Sequence, residues 1–484
     1  MSIRYIFDDP RSHYTNLDVV KGKVVLSVSS PMSINFITVK LEGESRTRLL
    51  APPRPGYNER PRPLLEIHKL LYRVITVFPP TQELQHTGSS RVFAAGQYAY
   101  PFEFKIPFNN NCNAVNVLNP TKPFGGLPLE MARPPARHVR TTLPPSIYFP
   151  GEAEIRYYVK ATVNRPGLFK ENLRALHNIN LVPIEPPREV TAGEAYARVQ
   201  HQFLHGEPPK NSGITSLFKG KESIPPSPST SLPPARISVD IRLPNPPVLT
   251  CGQDIPLRVL IKQLSERSEE LYLQTLQIEL IATTRVQAHE AVRDEKGSWV
   301  IISLTNLKQP IGSKTDAIDT ETALTKELWY GHKLPNTVSP TFITCNIQRS
   351  YELVVSVGLS YGSLKSTYDQ FTVKTLRLAV KVFSGIRPPD ALLKRMETGP
   401  ERPILSGPSV PAGAGAVPPA YQSPAPGPSN AGPAPQNAPP YEEAPPSYED
   451  AIALDLPPVS GPRPEYRPPP APEGGDSRLA DEKR

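Results

Sequence analysis

The sequence predicts an all-β body followed by a proline-rich tail, and three observations carry that prediction. Apolar and polar residues alternate with period two along many short segments, Gly, Pro and Asn turns divide those segments, and the composition changes abruptly after Ile386. Successive side chains on a strand point to opposite faces, so a period-two segment buries one side and wets the other. Many such segments with no long helical period predict β-sandwiches.

In chain order, the first alternating segments are Val24/Leu26/Val28 and Ile37/Val39/Leu41. The plainest is Ile155-Arg-Tyr-Tyr-Val-Lys-Ala-Thr-Val163, in which Ile155, Tyr157, Val159, Ala161 and Val163 share one face. The pattern returns at Ile237/Val239/Ile241/Leu243, Ile255/Leu257/Val259/Ile261 and Leu276/Ile278/Leu280. It ends with Leu353/Val355/Val357/Leu359 and Leu376/Leu378/Val380/Val382. Between the two groups, His205-Gly-Glu-Pro-Pro-Lys-Asn-Ser-Gly213 and the Pro/Ser run from Ile224 to Pro234 are linker chemistry without periodicity. The expected organisation is a first β-sandwich at 1–188, an inter-domain linker at 189–235, a second β-sandwich at 236–386 and a tail at 387–484. The tail is mostly Pro, Ala, Gly and Ser, too poor in apolar mass to offset the entropy of ordering, so it is expected to be disordered.

With 484 residues the chain has room for two or three domains. No apolar run approaches the thickness of a bilayer, and Met1-Ser-Ile-Arg-Tyr-Ile-Phe-Asp-Asp-Pro10 has no apolar signal-peptide core. Cys112, Cys251 and Cys345 are three in number, far apart and without a Cys-x-x-Cys, which predicts neither a disulfide framework nor a metal site and points to the cytosol. No cofactor is expected.

The formal charge is +8, but the segment from Glu401 onward carries six Lys/Arg and eleven Asp/Glu, leaving +13 on residues 1–400. A basic body can meet an anionic membrane surface, acidic peptides or nucleic acid, and no nucleic-acid motif accompanies the charge. Two basic loops stand out, Arg46/Arg48 with Arg54/Arg60/Arg62, and Arg133-Pro-Pro-Ala136-Arg137-His138-Val-Arg140. Arg46, Arg48, Arg133, Arg137 and Arg140 are candidate contacts for anionic lipid, where each charge adds about 1 kcal/mol, or for acidic cargo segments. Arginines that merely keep loops soluble explain the same pattern. Ser227 and Ser229 in Pro-Pro-Ser-Pro-Ser are candidate phosphate acceptors in an open linker.

In the last 84 residues, each of the four tyrosines has a proline two positions upstream: Pro419–Tyr421, Pro439–Tyr441, Pro446–Tyr448 and Pro464–Tyr466. With a quarter of that tail proline, all four arise by chance about once in 250. Pro418-Pro419-Ala420-Tyr421 and Pro445-Pro446-Ser447-Tyr448 complete the string Pro-Pro-x-Tyr. A polyproline II segment presents prolines and a tyrosine on nearby faces with little entropy left to lose, which suits the aromatic-lined groove of a WW domain. Pro418, Pro419, Tyr421, Pro445, Pro446 and Tyr448 are the expected docking residues. Pro439, Pro440 and Tyr441, and likewise Pro464 and Tyr466, lack one proline of the motif and form weaker sites.

Two enzyme-like strings are weighed and set aside. Gly358-Leu-Ser-Tyr-Gly362 matches a nucleophile elbow, but that chemistry needs a helix after the turn and a later histidine. Here Thr372–Phe383 alternates like a strand and no histidine follows His332. His201 and His205 have a zinc-compatible spacing, but their neighbourhood reads as linker and supplies no third ligand beyond Glu207.

A family resemblance covers most of 1–386. Asp18-Val-Val-Lys-Gly-Lys-Val-Val-Leu26 and Ile37-Thr-Val-Lys-Leu-Glu-Gly43 resemble the opening strands of arrestin N-terminal domains. Ala95-Gly-Gln-Tyr-Ala-Tyr-Pro-Phe-Glu-Phe-Lys-Ile-Pro107 is similar to that family's Gly-x-x-x-x-Pro-Phe segment, and Leu143-Pro-Pro-Ser146 before the Tyr157–Pro166 strand to its Leu-Pro-Pro-Ser…Tyr pair. Phe342-Ile-Thr-Cys-Asn-Ile-Gln-Arg-Ser-Tyr-Glu-Leu353 resembles an arrestin C-domain strand. With the Pro-Pro-x-Tyr tail, the chain resembles the fungal α-arrestins, the arrestin-related trafficking adaptors.

That resemblance implies two arrestin-type β-sandwich domains in tandem and a non-catalytic adaptor. It implies binding to cytosolic tails of plasma-membrane transporters or receptors, and recruitment of a HECT-type ubiquitin ligase through its WW domains. Ubiquitination and endocytosis of the cargo would follow, with the adaptor cytoplasmic and recruited peripherally to plasma membrane and endosomes. An ambient-pH-signalling arrestin serving a pH-sensing receptor is the alternative within the family. A scaffold that binds WW or SH3 partners without ubiquitin transfer is the alternative outside it. From Glu401 to the end Lys483 is the one lysine, so Lys210, Lys219 and Lys221 in the linker are the expected ubiquitin acceptors, ahead of Lys374 and Lys381 on the last strand.

Overall fold

The computed structural model describes residues 1–51, 63–80, 90–112, 138–167, 172–188, 191–203, 234–362, 370–398 and 456–459. The first domain holds strands β1 (Ser2–Phe7), β2 (Val19–Val28), β3 (Met32–Ile34), β4 (Phe36–Leu50) and β5 (Pro63–Phe78). It continues with β6 (Arg91–Phe93), β7 (Gly96–Lys105), β8 (Ile147–Phe149), β9 (Ala153–Asn164) and β10 (Leu173–Ile179). One sheet runs β1-β2-β7 and the facing one β10-β9-β4-β5, with β8 added on β9 and a small β3-β6 pair at the side. The core lies between them: Val20, Val24, Phe102 and Phe104 from one sheet meet Val39, Leu41, Ile155, Tyr157 and Val159 from the other. Ile155, Tyr157, Val159, Ala161 and Val163 are all buried, as their alternation requires. Tyr157 fits because Gly43 lies opposite it; a Cβ at Gly43 would sit 2.5 Å from the Tyr157 ring.

The second domain comprises β11 (Glu194–Gln202), β12 (Arg236–Pro244), β13 (Val248–Thr250), β14 (Arg258–Gln263), β15 (Leu271–Ala288) and β16 (Ala291–Leu304). It ends with β17 (Gln309–Pro310), β18 (Glu321–Ala323), β19 (Phe342–Ile343), β20 (Ile347–Tyr361) and β21 (Gln370–Phe383). A sheet ordered β11-β12-β14-β18 faces one ordered β13-β21-β20-β15-β16, with β17 and β19 attached. Its core is Ile237, Val239, Ile241, Val259 and Ile261 against Leu276, Ile278, Leu280, Leu353, Val355, Val357 and Val382. Among the described residues no helix is long and apolar enough to cross a membrane.

Three differences from the sequence reading have physical reasons. The stretch read as linker, 189–235, contributes β11, which pairs along its whole length with β12 as a sheet edge. Its inward positions are Ala195, Ala197 and Val199, small and only half-buried, so its alternation is faint. The tail read as beginning at 387 opens with a helix, α1 (Asp390–Thr398), whose Leu392 is buried. Further on, Leu456 is buried against the body, 6% exposed, with Val459 beside it. Gly358 and Ser360, the heart of the elbow-like string, lie inside the continuous strand β20. A Cβ on Gly358 would meet Thr275 Oγ1 at 2.1 Å, and Ser360 Oγ accepts from Gln274 Nε2 at 2.9 Å.

Candidate functional site at the inter-domain seam

The two sandwiches meet where the β4–β5 hairpin of the first packs on the β15–β16 hairpin and the β19–β20 turn of the second. Strand β15 turns into β16 through His289 and Glu290, with His289 in the left-handed region at φ 53°. Val286, Ala288, Ala291, Phe342, Cys345 and Ile347 of the second domain belong to the same apolar cluster as Leu41, Leu49, Ala153 and Ile155 of the first. The seam is therefore a continuous core rather than a wetted contact.

Polar groups within it are paired across the boundary. Ser45 Oγ donates to Asn346 Oδ1 at 2.6 Å, Thr47 Oγ1 donates to the Gln287 carbonyl at 2.6 Å, and Asn346 Nδ2 donates to Thr47 Oγ1 at 3.2 Å. Glu66 Oε2 accepts the backbone N–H of His289, and Thr141 Oγ1 donates to the Ile343 carbonyl at 3.1 Å. Buried hydrogen bonds of this kind contribute about 1 kcal/mol each, but cost more when one partner is removed. Asn346 closes the string Phe342-Ile-Thr-Cys-Asn, which the sequence marked only as a family likeness.

Beside this seam lies a cluster that sequence spacing gave no sign of. His68 Nδ1 stands 3.3 Å from Cys112 Sγ, and His138 Nδ1 is also 3.3 Å from it. Cys345 of the second domain brings its Sγ to 3.6 Å from the same sulfur. The far side of the His68 ring, Nε2, meets Glu66 Oε1 at 2.7 Å. Burial opposes a charge on His68, but its contacts with Cys345 and Glu66 outweigh burial and push its pKa up to about 9. The Cys345 thiol is held low, first by its hydrogen bond to Cys112 and then by His68 and the Val139 N–H, while Cys112 is pushed up correspondingly. His138 Nε2 is buried without a partner among the described residues, a state that costs about 1–3 kcal/mol unless the ring is engaged elsewhere.

The docked tail sits at the other end of the seam. Leu17, Phe108, Val182, Ile184, Ile386 and Leu392 form an apolar cluster that receives Leu456. Lys105 Nζ donates to the Leu456 carbonyl. The connector beneath is fixed by Glu185 N–H donating to the Ile386 carbonyl at 2.9 Å, and by Arg188 bonding both Glu185 and Thr250 Oγ1.

Of the residues singled out in the sequence, Pro418, Pro419, Tyr421, Pro439, Pro440, Tyr441, Pro445, Pro446, Tyr448, Pro464 and Tyr466 lie outside the described residues, as do Lys210, Lys219, Lys221, Arg133 and Arg137. Arg46 and Arg48 alternate with Glu42 and Glu44 on the outer face of β4, and Arg46 lies near Glu154. That placement gives Arg46 a carboxylate neighbour within the sheet. Arg140 is exposed next to Thr141, at the seam. His201 is on β11 with its ring 4.6 Å from that of Phe203, and His205 falls outside the described residues.

Residues 3–121 match the family described as Arrestin (or S-antigen), N-terminal domain. A stretch of 126 residues is 34% identical to the arrestin-related trafficking adapter 10 of Lachancea thermotolerans. The match covers 23% of this chain and 28% of that relative's length. The matched span runs from β1 past the Phe102–Ile106 segment and includes both Cys112 and the β4–β5 hairpin that carries the seam. An arrestin-type N-terminal domain therefore lies within residues 3–121, packed across a shared core on a second all-β sandwich, and the chain spans about a quarter of the length of the trafficking adapter it matches.

Proposed function

We propose that this chain is an α-arrestin, a non-catalytic trafficking adaptor that links plasma-membrane cargo to a WW-domain ubiquitin ligase of the HECT type. The observation that carries this reading is the tail itself, two complete Pro-Pro-x-Tyr motifs ending at Tyr421 and Tyr448 on the same chain as an arrestin N-terminal domain. Two motifs on one chain favour ligases with several WW domains, because the second engagement is intramolecular. The rigid seam supports the same role, since a body with a continuous core holds cargo-facing surfaces in fixed relation to the root of the tail. Leu456, held on that body, lies eight residues beyond Tyr448, so the tyrosine can be at most about 27 Å from the docking cluster. A ligase engaged there works close to the junction of the domains. On this reading the protein is cytoplasmic, visits plasma membrane and endosomes peripherally, and itself becomes ubiquitinated on body lysines.

The test is a reconstituted ubiquitination reaction with ubiquitin-activating and conjugating enzymes and a HECT ligase that carries WW domains. The wild-type chain is expected to be modified and the Tyr421→Ala/Tyr448→Ala chain to lose most of that modification. Equal modification of both chains would remove the motifs from the mechanism.

A further inference from the structure

Four side chains with metal-binding atoms converge beside the seam, three from the first domain and one from the second. We propose that His68, Cys112, His138 and Cys345 bind one zinc ion that ties the two sandwiches together. Around tetrahedral zinc, bond lengths of about 2.3 Å to sulfur and about 2.0 Å to nitrogen set sulfur–sulfur separations near 3.8 Å and sulfur–nitrogen separations near 3.5 Å. The observed separations are 3.6 Å for Cys112–Cys345 and 3.3 Å for each histidine nitrogen to Cys112. The nitrogen and sulfur atoms of His68, Cys112 and His138 all lie within 4.8 Å of one another. Cys345 reaches this trio through its 3.6 Å approach to Cys112 and would close on the ion as the fourth ligand.

The surroundings are built as a metal site is. Zinc-bound histidines usually give their other ring N–H to a carboxylate, and Glu66 Oε1 takes that place at 2.7 Å from His68 Nε2. Backbone N–H groups commonly steady a metal thiolate, and Val139 N–H reaches Cys345 Sγ at 3.1 Å. Asn110 pins the two ligand-bearing segments to each other: its Oδ1 accepts from Cys112 N–H at 3.2 Å and its Nδ2 donates to Thr141 Oγ1 at 3.0 Å. Two sulfurs and two imidazoles in a closed, buried pocket select zinc over the oxygen-seeking cations. On binding, Cys112 and the Cys345–His68 pair release two protons in all to solvent, so that the ion takes two thiolates and two neutral imidazoles.

The same two cysteines have a second chemistry, an inter-domain disulfide, which needs about 2.05 Å between sulfurs and an oxidant. A disulfide would leave both histidines converging on a sulfur with no role. Zinc gives each of them one. Because Cys345 comes from the second domain, the ion would join segments 233 residues apart, from Cys112 to Cys345.

The full-length chain, expressed with zinc in the medium and purified under argon, is expected to carry one zinc ion by elemental analysis. Exchange for cobalt should give the intense visible bands and thiolate charge-transfer absorption of a tetrahedral site with two sulfurs. Cys345→Ser should leave roughly half of the charge-transfer intensity and weaken zinc binding about 100-fold, while Glu66→Gln should weaken it about 10-fold. Where a variant fails to fold, the cobalt spectrum of the wild-type chain decides alone. Metal at background level in the wild-type chain, an octahedral cobalt spectrum, or a Cys112–Cys345 disulfide in the freshly purified, unreduced protein would each overturn the proposal.

Discussion

Replacing Lys69 by methionine removes the cation that lies between two buried carboxylates on the outer face of the first domain's larger sheet. Lys69 Nζ is 2.6 Å from Glu42 Oε2 and 3.2 Å from Glu44 Oε2, and all three side chains are at most 12% exposed. Glu44 has a second partner, because Arg156 grips its Oε1 through Nε at 2.8 Å and Nη2 at 2.5 Å. Glu42 retains only the Tyr158 hydroxyl, at 3.0 Å, as a donor. The variant therefore leaves one carboxylate under-compensated rather than two. Breaking a buried pair costs about 3–5 kcal/mol, and the remaining Tyr158 bond places this case near 3 kcal/mol. Removing Glu42 as well, in Lys69→Met/Glu42→Leu, should restore most of that loss, since apolar replacement of a buried pair is close to neutral. Urea denaturation followed by tryptophan fluorescence and far-UV dichroism measures both. A cost below about 1 kcal/mol for the single change, or no recovery in the double, would refute the reasoning. Acid supplies a second reading. Burial pushes both glutamates up, but Lys69, with Arg156 for Glu44, outweighs it, so their folded pKa values lie below the ordinary 4.5. Groups with a depressed folded pKa stabilise the fold above the unfolded value and lose that contribution as pH falls through the folded one. Wild-type stability should thus fall below pH 4.5, and Lys69→Met should show a shallower fall over the same window.

Three further outcomes follow from other contacts. Asn346→Leu keeps the branched shape of the side chain but strips Ser45 of its acceptor and Thr47 of one of its two partners, and should cost about 1–3 kcal/mol by chemical denaturation; a change below about 0.5 kcal/mol would mean the seam is wetter than described. Leu456→Asp places a charge in the apolar cluster of Leu17, Phe108, Val182 and Ile184, and should speed hydrogen exchange at 105–108 and 386–392, whereas unchanged exchange would show that the segment is not docked. Mass spectrometry of the ubiquitinated adaptor should find Lys210, Lys219 and Lys221 ahead of Lys374 and Lys381, which sit in the β21 ladder; modification on Lys483 alone would contradict the proposed geometry.

The strands were legible because burial on one face forces a period of two, and Ile155 to Val163 or Ile237 to Leu243 obey it along their length. Strand β11 was not, because an edge strand needs only one half-buried side, and Ala195, Ala197 and Val199 supply it without the usual branched or aromatic residues. The docked tail was hidden by composition: Leu456 and Val459 are two apolar residues in a proline-rich run, and only the pocket they enter gives them meaning. The Cys/His cluster escaped for a different reason. Its residues stand at 68, 112, 138 and 345, brought together by the β4–β5 hairpin, two loops pinned by Asn110, and the β19–β20 turn of the other domain. Ligand spacing reveals sites built on one turn or one helix; it is silent about sites assembled by domain packing. The Pro-Pro-x-Tyr motifs are the converse case, since their recognition is local and the sequence alone displays it.

The most direct test of the adaptor account is calorimetric titration of a HECT ligase's tandem WW domains into the intact chain, beside the Tyr421→Ala, Tyr448→Ala and doubly substituted chains. The account predicts tight binding to the wild-type chain and a loss in the double variant larger than in either single one, because linked sites multiply effective concentration. It also predicts that Tyr448, followed by Glu449-Asp450-Ala-Ile-Ala-Leu454, carries more of the affinity than Tyr421, whose follower Gln422-Ser-Pro424 stops a helix. Undiminished binding to the doubly substituted chain would contradict the account at its root.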